Sequence, residues 1–173
     1  MIQTHFNDSR RRRSFVFVAA TLAALWHVST VSAFEAVITN ERSGDVIHID
    51  NEGSTAHITA LCNRPRGMTK GLDDSHVIIA CSDDHKVVSY NRKTRAIDSE
   101  IVNVPGPMSI SLHKPSGRLL VTNEGTSQAS VYDLGSGRLI AELPTGLEPD
   151  GIVITDDGKL IFVASENAGL VHV

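Results

Sequence analysis

One pattern recurs along most of this chain at a step of 41 to 42 residues, and it limits the folds open to it. Four short apolar runs each end in a small polar cluster, at residues 37–41 (VITNE), 78–82 (IIACS), 120–124 (LVTNE) and 162–166 (FVASE). Pro65, Pro107 and Pro149 are each 42 residues apart. A turn signal precedes each of the last three runs: Asp73-Asp74, Ser116-Gly117 and Asp157-Gly158. Three landmarks in one phase mark an internal repeat rather than a set of unrelated segments.

Within the best-preserved unit, residues 108–113 (MSISLH) alternate apolar and polar positions, the period of a strand with one buried face. Pro115-Ser116-Gly117 reads as a turn. Residues 119–122 form a nearly continuous apolar strand, 123–128 a polar loop, 129–133 a third strand and 138–143 a fourth. The first unit supplies strands at 37–39, 45–49 and 57–61, the second at 67–70, 76–80, 86–90 and 97–102, and the last at 151–155, 160–164 and 169–173. Four antiparallel strands in about 42 residues make one propeller blade. The expected fold is therefore all-β, a β-propeller segment of about three to three and a half four-stranded blades. Blade 1 is expected over about 36–63, blade 2 over 64–105, blade 3 over 106–147 and a partial blade 4 over 148–173. A sandwich need not repeat in sequence, and a solenoid coil is usually shorter than ~40 residues.

The first 33 residues read as a signal peptide. Arg10 to Arg13 form a basic region, residues 15–28 (FVFVAATLAALWHV) an apolar one, and Val31-Ser32-Ala33 a cleavage site. The apolar stretch is short of the ~20 residues that a spanning helix needs. Arg12-Arg13 followed by Ser14-Phe15 also fits twin-arginine export, so two export routes are open. Removing this leader takes away four of the 16 basic side chains but one of the 20 acidic ones, leaving 12 against 19, a formal charge of −7. No basic patch remains to neutralise phosphates, so nucleic acid is not an expected partner. A periplasmic or secreted protein without a membrane span after cleavage is expected. The two cysteines, Cys62 and Cys81, fit no zinc or haem spacing. In an oxidising compartment they form either one disulfide near the junction of blades 1 and 2 or two separate thiols.

The repeat resembles that of YVTN-family β-propellers. The resemblance lies in Val121-Thr122-Asn123-Glu124, in Ala129-Ser130-Val131-Tyr132-Asp133 with the turn 134–138 after it, and in the Pro-x-Gly openings at Pro65 and Pro149. A subgroup associated with PQQ-dependent alcohol catabolism is similar in Arg64-Pro65-Arg66-Gly67, Ala80-Cys81-Ser82 and Leu112-His113-Lys114-Pro115. The resemblance implies a ring of about seven blades, roughly 290 residues at this period. Against that ring the chain is incomplete, and three expectations follow: a truncated fragment without function of its own, part of a longer propeller, or a half-ring completed by self-association. The resemblance also implies an exported, non-enzymatic binding or accessory protein whose partner belongs to a periplasmic quinoprotein dehydrogenase system.

Ligands of propellers gather where the loops leading into the inner strands meet the loops after the second strands. Arg64, Arg66, Met108, Glu148 and Asp150 fall in the first set. Asn40, Glu41, Ser82, Asp83, Asp84, Asn123, Glu124, Ser165 and Glu166 fall in the second. The paired arginines suit an anionic group; the carboxylates and amides suit a divalent cation. The Asn and Glu that recur at each strand end equally suit turn hydrogen bonds within the blade. Positions that break the repeat are better candidates: Arg64 and Arg66, Gly106 and Met108, Glu148 and Asp150. No catalytic constellation or cofactor motif appears. The enzymatic alternative is a metal-dependent, lactonase-like hydrolase using Asn123, Glu124 and Asp150. The histidines show no metal spacing, and His48 and His172 are expected at equivalent strand positions.

Overall fold

The structure is a computed structural model whose described residues are 35–50, 52–58 and 60–173; the expected leader lies outside them. Among these residues no helix is long and apolar enough to cross a membrane. Among the described residues, fourteen strands form four antiparallel sheets. Blade 1 holds β1 (Ala36–Asn40), β2 (Asp45–Ile49) and β3 (Thr55–Ile58). Blade 2 holds β4 (Pro65–Lys70), β5 (His76–Cys81), β6 (Lys86–Asn91) and β7 (Ala96–Val102). Blade 3 holds β8 (Pro107–His113), β9 (Arg118–Asn123), β10 (Gln128–Asp133) and β11 (Leu139–Pro144). Blade 4 holds β12 (Pro149–Ile154), β13 (Ile161–Ser165) and β14 (Leu170–His172). Each sheet is a simple meander, and contacts pass from sheet to sheet in chain order through β1·β4, β4·β8 and β8·β12.

Alignment of the pairing registers shows which strands the two three-stranded blades hold. β1 pairs β2 from Asn40↔Asp45, as β5 pairs β6 from Cys81↔Lys86. β1 is therefore the counterpart of the second strand, and the described part of blade 1 lacks the innermost one. The described part of blade 4 runs from the innermost strand to the third. One expected strand is displaced: residues 57–61 give way to β3 at Thr55–Ile58. Ala60, at φ 55°, leaves the extended region and ends the strand early.

The recurring proline opens blades 2, 3 and 4 in one way. Pro65, Pro107 and Pro149 pair with Cys81, Asn123 and Ser165, and each ladder then shifts register before residues 68, 110 and 152. Proline has no N–H to continue the ladder, so a bulge follows it. At Gly67 blades 2 and 3 approach closely: a Cβ built there would lie 2.6 Å from the Met108 carbonyl oxygen. Any larger residue would push β4 away from β8.

Two apolar clusters sit between blades rather than within them. Val46, Cys62, Val77, Ile79, Cys81, Val88 and Tyr90 join blades 1 and 2. Ile78, Ala80, Val87, Ile101, Val104, Ile110, Leu119, Val121 and Tyr132 join blades 2 and 3. Alternation along β5 explains the division, because odd positions face the preceding blade and even ones the following blade. The same alternation corrects the histidine expectation. His48 pairs with Val37 and His172 with Val163, and these two partners point to opposite faces of their blades. His48 is buried, with Nε2 2.6 Å from Glu35 Oε1, whereas His172 Nε2 accepts the Gly146 N–H at 2.9 Å.

Candidate functional site

The loops leading into the inner strands meet the ends of the second strands through the backbone. The N–H groups of Ser82, Glu124 and Glu166 donate to the carbonyls of Arg64, Gly106 and Glu148, at 3.1, 3.2 and 3.0 Å. Those three acceptors, 42 residues apart, have φ of 54°, 48° and 51°. The left-handed step therefore belongs to the architecture and not to the residue that occupies it. Glycine takes that conformation freely at 106, whereas Arg64 and Glu148 each hold it at a cost of about 1 kcal/mol.

Around Arg64 the loop is anchored at three consecutive residues. Cys62 and Cys81 form a disulfide, with their Cα atoms 5.8 Å apart. Asn63 is held by Asp84, whose carboxylate accepts the backbone N–H at 3.0 Å and the side-chain amide at 2.7 Å. The Asn63 backbone bond is the main reason the Asp84 carboxyl lies below its usual range. Arg64 itself donates from Nε to Glu41 Oε1 at 2.9 Å, and its guanidinium lies 3.6 Å from Asp83 Oδ1. Arg66 donates to the same Glu41 oxygen at 3.0 Å. The Arg64 bond lowers the Glu41 carboxyl, and the same bond raises the guanidinium, with Asp83 and Glu124 adding to it. These groups border an open cleft of about 550 Å³ lined by Glu41, Arg42, Asn63, Arg64 and Asp83.

The two arginines thus already share one carboxylate from blade 1. An incoming anion would have to displace Glu41 or join it, so the pair is an exchangeable ion cluster rather than an empty clamp. Asp84 faces the loop interior and positions Asn63. Asn123 is fully buried in blade 3, where its amide donates to Ser130 Oγ at 2.5 Å. Glu124 opens a 3-10 turn, Glu124–Thr126, near Arg64. Glu148 and Asp150 are exposed at the start of blade 4. The Asp150 carbonyl accepts the Thr122 hydroxyl at 2.9 Å, the counterpart of the Thr39 bond to the Arg66 carbonyl between blades 1 and 2.

The expected metal set of Asn123, Glu124 and Asp150 is therefore not assembled. Alternation turns the Asn123 side chain into the sheet interface, away from the loop that carries Glu124. Among the described residues no group of three or more His, Cys, Asp and Glu side chains is placed to hold a metal ion.

Sequence reasoning missed a second charged cluster at the far end of β5. His76 lies between two carboxylates, with Nδ1 2.8 Å from Asp73 and Nε2 2.9 Å from Asp98. Asp98 also accepts the Asn91 amide at 2.9 Å. The Asp98 and Asp73 bonds raise the His76 pKa. Both carboxyls are held below their usual range, Asp73 chiefly by His76 and Asp98 chiefly by Asn91 and then His76. The signal lay in the absence of this trio from the other units, where Pro115 and Arg118, then Asp157 and Leu160, stand at the positions of Asp73 and His76.

No protein-family model and no curated protein matches the chain. Solved structures do. The WD40 β-propeller domain of Doa1 superposes with a TM-score of 0.70 over 82% of this chain and 47% of that one, at 15% identity. Hydrazine synthase of Kuenenia stuttgartiensis is 28% identical over 58% of this chain and 29% of that one, with a TM-score of 0.54. The chain spans less than half the length of either. The fold is that of β-propeller blades, and the likeness to the WD40 domain bears on the fold alone.

Proposed function

We propose that this chain is an exported, non-enzymatic binding or accessory module, with its ligand engaging the rim around Arg64 and Arg66. The observation that carries the reading is the Arg64 loop. A strained, left-handed residue projects a cation into an open cleft and is fixed by a disulfide, an Asn63–Asp84 clamp and Glu41. Rigid support of an exposed charged group is what a recognition surface requires. The ion cluster suits a partner that presents a carboxylate, which would take the place of Glu41 on the two guanidinium groups. The YVTN-like repeat and the Arg64-Pro65-Arg66-Gly67 opening support a partner within a periplasmic quinoprotein dehydrogenase system that oxidises alcohols. Hydrazine synthesis belongs to the Kuenenia stuttgartiensis protein, of which the matched part is 29%.

The test has two arms. Expression of the full chain in a bacterium should place it in the periplasm, with Phe34 as its new N-terminus; an uncleaved cytoplasmic product would sink the export reading. Replacing Arg12 and Arg13 with Lys should block export only if the twin-arginine route is used. The second arm measures binding of the processed chain to a purified quinoprotein alcohol dehydrogenase. Arg64→Ala with Arg66→Ala should weaken it by at least about tenfold, and unchanged binding would rule out this rim.

A further inference from the structure

We propose that the Cys62–Cys81 disulfide is a redox latch on the Arg64 loop. Oxidised, it sets Arg64 beside Arg66; its reduction releases the loop and withdraws one of the two cations from the rim. The consequence for binding rests on the rim function proposed above, whereas the movement of the loop does not.

The repeat shows that a covalent link is not needed to build such a loop. Ser82, Glu124 and Glu166 make the same backbone bond to a left-handed residue, at 3.1, 3.2 and 3.0 Å, and only the first of these junctions carries a disulfide. At the positions of Cys62 and Cys81 the next blades hold Val104 with Asn123 and Gly146 with Ser165. Those loops have fastenings of their own. Val104 is fully buried and donates its N–H to the His85 carbonyl at 2.8 Å. Gly146 donates its N–H to His172 Nε2 at 2.9 Å. Among the described residues Cys62 makes no backbone hydrogen bond, so the disulfide takes their place.

The two sulfurs are unequally free. Cys81 is fully buried in β5, paired to β4 on one side and β6 on the other. Cys62 is 5% exposed and lies in the loop between β3 and β4. A small dithiol would attack Cys62 Sγ as its thiolate, break the bond to Cys81 and form a mixed disulfide with Cys62. Cys81 leaves as a thiolate and takes up a proton. The second thiol of the reagent then attacks the reagent's own bonded sulfur, frees Cys62 as a thiol and closes a cyclic disulfide. Two electrons and two protons thus pass from the dithiol to the protein. The two thiols must then stand at van der Waals separation. The sheet holds Cys81, so Cys62 moves, and Arg64 follows two residues on. The remaining holds on the loop, Asn63 on Asp84 and Arg64 on Glu41, are exposed hydrogen bonds for which water competes. Arg66 stays in place because it lies within β4.

Amide hydrogen exchange tests the latch, with the other blades as internal controls. Dithiothreitol should speed exchange of the Ser82 N–H at least about tenfold more than that of Glu124 or Glu166. In the variant Cys62→Val with Cys81→Asn, the reagent should change none of the three. An unchanged Ser82 in the wild type would overturn the proposal. So would an equal rise at all three, which would make the link a staple of the whole fold. A second measurement compares binding of the quinoprotein alcohol dehydrogenase by the oxidised chain and by chain reduced and then freed of reagent. The reduced chain should bind at least about tenfold more weakly. Equal binding by both forms would overturn redox control of the rim. Binding by neither would overturn the rim function instead, and the Ser82 exchange would still decide the latch.

Discussion

At residue 64 two effects of similar size oppose each other. The left-handed backbone costs Arg64 about 1 kcal/mol, and its exposed ion pairs return about 0.2–1 kcal/mol. Arg64→Gly should therefore leave stability in urea nearly unchanged, whereas Gly106→Arg should lower it by about 1 kcal/mol. A Cβ at 106 meets nothing nearer than the Gly125 nitrogen at 3.7 Å, so the loss would come from backbone strain rather than a clash. An Arg64→Gly loss above about 2 kcal/mol would show instead that the guanidinium holds blades 1 and 2 together. Part of this was legible in sequence: the 42-residue proline step singles out 64, 106 and 148 as positions that vary. The shared left-handed step was not legible, because Arg and Glu carry no signal for it. Nor was the Glu41 pairing, which joins residues of different units.

Strands were read more accurately at their apolar centres than at their ends. β9 and β10 follow from alternation and turn residues alone, while β3 slid because its boundary is set by pairing to β2. The clamp of Asp73, His76 and Asp98 ties the turn between β4 and β5 to the outer strand β7, a contact that no single element announces. Its pH dependence has two limbs. His76 has a raised folded pKa, so its contribution is complete below the unfolded value near 6.5 and is lost as pH rises through the folded one. Asp73 and Asp98 are depressed, so their contribution is present above about pH 4 and fades as pH falls through their folded values. Urea midpoints measured against pH should show a plateau between these limbs. His76→Gln should remove the fall on the alkaline side; an unchanged alkaline limb would exclude the clamp as its source.

The disulfide occupies a position that the repeat fills differently in each blade. Cys62 and Cys81 correspond to Val104 and Asn123 in blade 3 and to Gly146 and Ser165 in blade 4. The link closes a sequence separation of 19 residues, so its loss should cost about 3 kcal/mol. Cys62→Val with Cys81→Asn would install the blade 3 pair in blade 2. That variant should unfold at the same urea concentration with or without reductant, while the wild type should lose stability on reduction. Equal reductant sensitivity in both would count against the link. The period set the two cysteines at one blade junction but left a disulfide and two separate thiols both open. What occupies the strand-end position elsewhere was not legible. Asn123 looked like a loop ligand until alternation along β9 turned it inward.

Anchors at Cys62, Asn63 and Arg64 in succession give the molecule a polarity. In a stack of repeats, each unit is held by its neighbours alone. Blades 1 and 2 are stapled to each other covalently and by ion pairs, and blade 3 is packed on both sides. The described residues are therefore braced most strongly between blades 1 and 2, and local unfolding should reach that junction last. The charged rim at Arg64 would be the last part of the surface to lose its shape.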